Sequence, residues 1–190
     1  TFLANVTRLV KTSQGLITFL TNSIELIAGG PLTASFYSVT MAPGIGLLHF
    51  DALDTYAGEI YFFSSDSQFK VLSTTLSLSN AGFPLGEEFS VWDASEVRVS
   101  VLQSGLDSCI FVSDGSTGWY RVNPRQVPGG PNGLEPVWSP FAAITSGCRM
   151  VQAIETVPGI KKLLVGSALP GHKILKRNLS VFTDDGTPYP

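Results

Sequence analysis

Four segments of the chain repeat one order of apolar and polar positions: an extended stretch, a turn, a strongly apolar strand, a polar turn and a second apolar strand. In the first, VTRLV leads through a turn at 12–15 to LITFL, and Thr21-Asn22-Ser23 then leads to IELIAG. In the second, LLHFDAL at 47–53 leads through Tyr56-Ala57-Gly58 to EIYFF, and a turn at 64–67 leads to QFKVL. The third runs VRVSVL, SCIFV, a turn at 113–118 and WYRV; the fourth runs RMVQAIE, Val157-Pro158-Gly159, KKLLVG and KILKRNL. Within them, IYFF (60–63) and CIFV (109–112) are apolar at every position. A strand buried on both faces reads this way, whereas a strand with one wet face alternates.

The central strands begin near Leu16, Glu59, Ser108 and Lys161, which spaces them 43, 49 and 53 residues apart. That is the period of a propeller blade, a small antiparallel sheet that cannot cover its own faces and stacks on its neighbours. The pattern therefore predicts an all-β, β-propeller-like chain. It forms a single domain over residues 1–190 with about four antiparallel blade units, near 6–41, 47–92, 97–144 and 148–190. Between them, FYSVTM (36–41) reads as a short alternating strand, and residues 43–46 as a break before the second unit. Gly82-Phe83-Pro84-Leu85-Gly86 reads as a turn, and the stretch from Glu87-Glu88 to Trp92 as one short helical turn. Residues 124–136, rich in Gly and Pro, read as a projecting loop. Trp138-Ser139-Pro140-Phe141 reads as an edge strand that Pro140 ends.

Composition agrees with many short strands. Ser and Thr number 36, more than the 27 charged residues, and 19 Gly and 12 Pro supply turns. With 190 residues the chain can bury about 70% of its unfolded surface, so it needs neither metal nor disulfide to fold. The formal net charge of −3 argues against a nucleic-acid-binding surface, since phosphate contacts need clustered Lys and Arg. The apolar stretches are too short for a membrane helix, and the first residues lack the basic and apolar regions of a signal peptide. Neither nucleic acid nor membrane is thus an expected partner. Cys109 and Cys148 are read as buried, inert thiols, with pairing left open. Asn5-Val6-Thr7 and Asn178-Leu179-Ser180 would accept glycans only in a glycosylating pathway.

Candidate chemistry is sparse, and neither a cofactor nor a metal is expected. His49, placed in an apolar strand beside Phe50, and His172, after Pro170-Gly171, have no metal-ligand spacing. No Ser stands in a Gly-x-Ser-x-Gly elbow, and neither Gly-Gly-Pro run continues as a phosphate loop. Asp66, Asp114 and Asp184-Asp185-Gly186 read as turn formers bonding nearby backbone N–H groups, in preference to calcium ligands. Lys161-Lys162 and Lys173…Lys176-Arg177 make the last quarter basic, as a guarded strand edge or as a surface for an acidic partner. Trp119-Tyr120 and Trp138 either pack between blades or stack on sugar rings. The candidate partner surfaces are the stretch 123–137 and the turn 114–118, with Asp114, Trp119, Asn132, Glu135 and Trp138 as candidate contacts.

The runs LITFLTNSIELIAGG (16–30), GIGLLHFDAL (44–53) and GEIYFFSSDSQFKVL (58–72) resemble propeller-like virion proteins of tailed phages and prophages. DGSTGWYRVNP (114–124), WSPFAAI (138–144), PGIKKLLVG and ILKRNLSVFTDDGTPYP resemble later parts of such proteins, so the likeness spans nearly the whole chain. It implies a non-catalytic component of a tail, neck or capsid-associated assembly, located in the virion. Its partners would be other virion proteins or copies of itself. Such proteins usually run longer, so a ring closed within this chain and an arc completed by further chain or another subunit both stay open. Two rivals use the same scaffold. A carbohydrate-binding propeller would meet a surface glycan through a rim Trp or Tyr beside Asn or Asp. A hydrolase would join carboxylates, with Asp51, Asp54 and Asp66 as candidates.

Overall fold

The computed structural model describes residues 4–30, 35–104, 107–122, 137–140, 148–157, 160–167, 174–176, 183–184 and 187–188. Nearly all of them are strand or turn, and the chain is all-β. It divides into two compact units, Thr1–Glu96 and Val97–Pro190.

The first unit holds two four-stranded antiparallel meanders. One consists of β1 (Val6–Lys11), β2 (Leu16–Leu20), β3 (Ser23–Gly30) and β4 (Ser35–Pro43), in that order. The other consists of β5 (Leu53–Tyr56), β6 (Glu59–Phe63), β7 (Phe69–Leu72) and β8 (Leu78–Asn80). The apolar runs LITFL and IYFF become the second strands, β2 and β6, and residues 17–20 and 60–63 are buried throughout. Side chains alternate between faces, so full burial along a strand means both faces are covered.

Each face of β6 has its own cover. Phe62 meets Phe19 of β2 edge-on, with ring centres 5.1 Å apart. On the opposite face, Phe63 and Phe69 meet Phe89 at 5.8 and 6.3 Å, and Trp92 lies 4.9 Å from Phe89. Phe89 comes from α1 (Gly86–Ser90), the short helix that follows the Gly-Pro turn as the sequence suggests. The β5–β6 hairpin closes on Ala57 and Gly58, at φ +51° and +84°, between the paired residues Tyr56 and Glu59. Left-handed φ at both turn positions matches the twist of the flanking strands.

The stretch LLHFDAL is not the extended strand its apolar content suggests. Residues 47–52 form a connector of bends and turns, and the strand begins only at Leu53. Leu47 and Ala52 are fully buried, so the residues are apolar because a connector is buried. His49 accordingly lies in a turn, where its Nδ1 accepts the Asp51 backbone N–H at 3.0 Å and its ring stacks on Phe50. The connector is tied to loops of both sheets. Leu47 N–H donates to Leu20 O, Ser65 N–H donates to Gly46 O, and the Ser65 hydroxyl accepts from Gly46 N–H, all within 2.9 Å. A Cβ on Gly46 would lie 2.3 Å from the Thr21 carbonyl carbon, so only glycine fits there.

The second unit holds a third meander, of β9 (Arg98–Ser104), β10 (Asp107–Ser113), β11 (Gly118–Val122) and β12 (Trp138–Pro140). Ile110, Phe111 and Val112 of β10 are buried, and Cys109 is half-buried. A fourth sheet runs β13 (Cys148–Val157), β14 (Ile160–Ser167) and β15 (Ile174–Lys176), and β13 lies against β9. β16 (Thr183–Asp184) and β17 (Thr187–Pro188) form a small ladder. KILKRNL keeps only 174–176 as strand among the described residues, and the side chain of Cys148 lies outside them.

Candidate functional site

Three features of the described residues bear on function, and each grows from strand ends or edges. The first is a cleft of about 520 Å³ at one rim of the first unit. The β1–β2 turn supplies Lys11, Thr12 and Ser13, and the β5–β6 and β7–β8 hairpins supply Gly58, Ser73 and Thr74. Val10, Ile60 and Leu76 give it an apolar lining. The Gln14 side-chain amide donates to Thr74 O at 2.8 Å and links the β1–β2 turn to the β7–β8 hairpin. The volume falls within the usual range of small-ligand sites. Lys11 is the one charged residue in its wall, so the cleft offers a single cation among hydroxyls.

The second is the β10–β11 turn, where Asp114 sits half-exposed. Its Oδ1 accepts the backbone N–H groups of Ser116 (2.8 Å) and Thr117 (2.7 Å) and the Ser116 hydroxyl (2.9 Å). This is the turn-forming role the sequence assigns it. Trp119 is half-buried on β11, opposite Val112 and Pro140. Trp138 is buried on the edge strand β12 beneath Arg121, whose guanidinium carbon lies 5.3 Å from the ring centre. Arg121 is only 2% exposed and is the largest fully buried side chain described. Its burial is not evident from the sequence pattern. The signal was a cation inside the apolar strand WYRV, close to a Trp that an edge strand could place across from it. Asp114, Trp119 and Trp138 thus belong to one sheet, and Asn132 and Glu135 lie outside the described residues.

The third is the outer edge of β4. Phe36, Tyr37 and Val39 are 70%, 58% and 47% exposed, and β3 is the one described strand that pairs with β4. The sequence pattern gives an alternating strand here, whereas apolar side chains are exposed on both faces.

Two of the three carboxylates considered for hydrolysis have local roles. Asp66 receives the Ser64 hydroxyl and pairs with Lys70 at 2.9 Å, and Asp54 Oδ1 accepts the Thr55 N–H at 2.8 Å. Among the described residues no three His, Cys, Asp or Glu side chains gather as a metal site, and no helix is long and apolar enough to cross a membrane. No protein-family model matches the chain, and no curated protein matches it.

Proposed function

We propose that this chain is a non-catalytic structural module of a phage-type virion, in which about four propeller-like blades present loops and strand edges to neighbouring subunits. The observation that carries this reading is the succession of up-and-down antiparallel sheets, three of which have a second strand, β2, β6 or β10, buried on both faces among the described residues. Such sheets make a rigid support, and rigid supports hold contact loops in place. The sequence resemblance to tail, neck or capsid-associated proteins supplies the setting. The partners are other virion proteins or copies of the chain, without nucleic acid or membrane.

Quantitative mass spectrometry of gradient-purified particles tests the reading. The expected result is this chain co-sedimenting with particles at a fixed copy number. Particles that lack it, from lysates where it is abundant, would contradict the assignment.

A second reading is a carbohydrate-binding module: the rim cleft sets hydroxyls and one cation beside an apolar wall, which suit a sugar's polar and C–H surfaces, although its lining has no Trp or Tyr beside Asn or Asp. A glycan array separates the two. Selective binding abolished by Lys11→Glu supports this alternative, and an array without hits removes it.

A further inference from the structure

The walls of the rim cleft divide by chemistry. Val10 of β1, Ile60 of β6 and Leu76 of the β7–β8 turn form its apolar part. Some of its hydroxyls are spent on turns. The Thr12 hydroxyl donates to Gly15 O at 2.9 Å, and those of Ser73 and Thr75 share a hydrogen bond of 2.9 Å. The hydroxyls of Ser13 and Thr74 have no hydrogen-bond partner among the described residues. Lys11 is exposed and has no ion pair among the described residues. The lining holds no carboxylate. Two acidic residues adjoin it in sequence, and each is engaged locally. Asp54 Oδ1 accepts the Thr55 N–H at 2.8 Å, and Glu59 Oε2 accepts the Tyr61 hydroxyl at 2.7 Å.

We infer that the cleft is a binding site for an acidic sugar, with Lys11 as the group that selects the acid. A ligand that matches the walls brings an anion for the cation, hydroxyls for Ser13 and Thr74, and C–H surface for the apolar part. A pyranose bearing a carboxylate carries all three. A neutral sugar leaves the ammonium unmatched, and a plain carboxylic acid leaves the hydroxyls unmatched. A hydrogen bond between ammonium and carboxylate is stronger than one between neutral groups, and no acid in the lining competes for it. The bond from Gln14 to Thr74 O holds the β1–β2 turn, with Ser13, against the β7–β8 hairpin. The polar groups are therefore placed before a ligand arrives, which lowers the ordering cost of binding. Aliphatic side chains take the place of an aromatic platform in this lining.

This inference rests on the carbohydrate reading of the cleft and narrows it to one class of sugar. Titration of the purified chain with glucuronate and with glucose, followed by amide chemical shifts, tests it. Glucuronate should move the amides of Ser13, Gly58 and Thr74. It should bind about tenfold more tightly than glucose, the worth of a hydrogen bond to a charged group. Lys11→Gln removes the charge and should bring glucuronate down to the level of glucose, with unchanged far-UV circular dichroism. Glucose and glucuronate binding alike would overturn the inference and leave the broader carbohydrate reading in place. Binding of neither would remove both. Acetate binding as tightly as glucuronate would overturn the inference, because the hydroxyls would then contribute nothing. Glucuronate binding that Lys11→Gln leaves intact would overturn it as well.

Discussion

Phe19 of β2 and Phe62 of β6 join the first two sheets, ring edge to ring face, at 5.1 Å and an interplanar angle of 68°. Both are fully buried, so the contact removes large apolar area from water and adds a preferred aromatic geometry. Replacing Phe62 by Ala should cost about 3–5 kcal/mol of unfolding free energy in urea melts. A double-mutant cycle with Phe19→Leu and Phe62→Leu should show a coupling of about 0.5–1.5 kcal/mol. Additive losses would mean the sheets do not meet through these rings.

Gly46 is the stitch between the loops of those sheets. A methyl group there would meet backbone atoms of Leu20 and Thr21 at 2.3–2.4 Å, and backbone cannot swing aside as a side chain can. Gly46→Ala should therefore lower the melting temperature sharply, while Gly44→Ala, whose Cβ has open space but whose φ is +77°, should show a smaller loss. Differential scanning calorimetry of the pair checks the order.

Much of this arrangement is legible in the sequence, and each failure has a physical cause. LITFL, EIYFF and SCIFV announce strands because β-branched and aromatic residues fill both faces, and Tyr56-Ala57-Gly58 announces a hairpin. LLHFDAL misleads because hydrophobic content reports burial and not strand geometry. A buried connector tethered at Gly46 and Leu47 carries the same apolar signature. The Asp114 turn is legible because its donors lie two and three residues away. The Arg121–Trp138 contact is not, since it depends on the register of β11 against β12 across a long connection. Apolar exposure at β4 is also hidden, because alternation normally means one wet face and one dry one.

Arg121 lies over Trp138 in a nearly water-free position, where a cation–π contact is worth about 2 kcal/mol. Arg121→Met keeps an aliphatic stem and should lose about that much. Arg121→Ala also loses the packing of the stem and should lose more. Chemical denaturation of the two variants, followed by tryptophan fluorescence, checks the order. Equal stability of both with the parent chain would show that the contact carries no energy.

Asp93 is held below the usual carboxylate range, first by the Ser95 hydroxyl at 2.7 Å and then by the Ser95 backbone N–H at 2.9 Å, against a small opposing effect of desolvation. A depressed folded-state value stabilises the fold above the unfolded value, and this contribution is lost as pH falls through the folded one. An NMR titration should place the Asp93 midpoint below that of an ordinary aspartate, and Ser95→Ala should move it upward. No movement in the variant would remove the assigned cause.

The proposed function rests on repeated sheets serving as scaffold within a particle, and electron cryomicroscopy of the native particle measures this most directly. The account predicts density for this chain at a fixed, repeated position, with its meander sheets arranged radially about a common axis and loops touching neighbouring subunits. A map in which the chain forms one continuous sandwich, or in which fully occupied particles contain no density for it, would contradict the account.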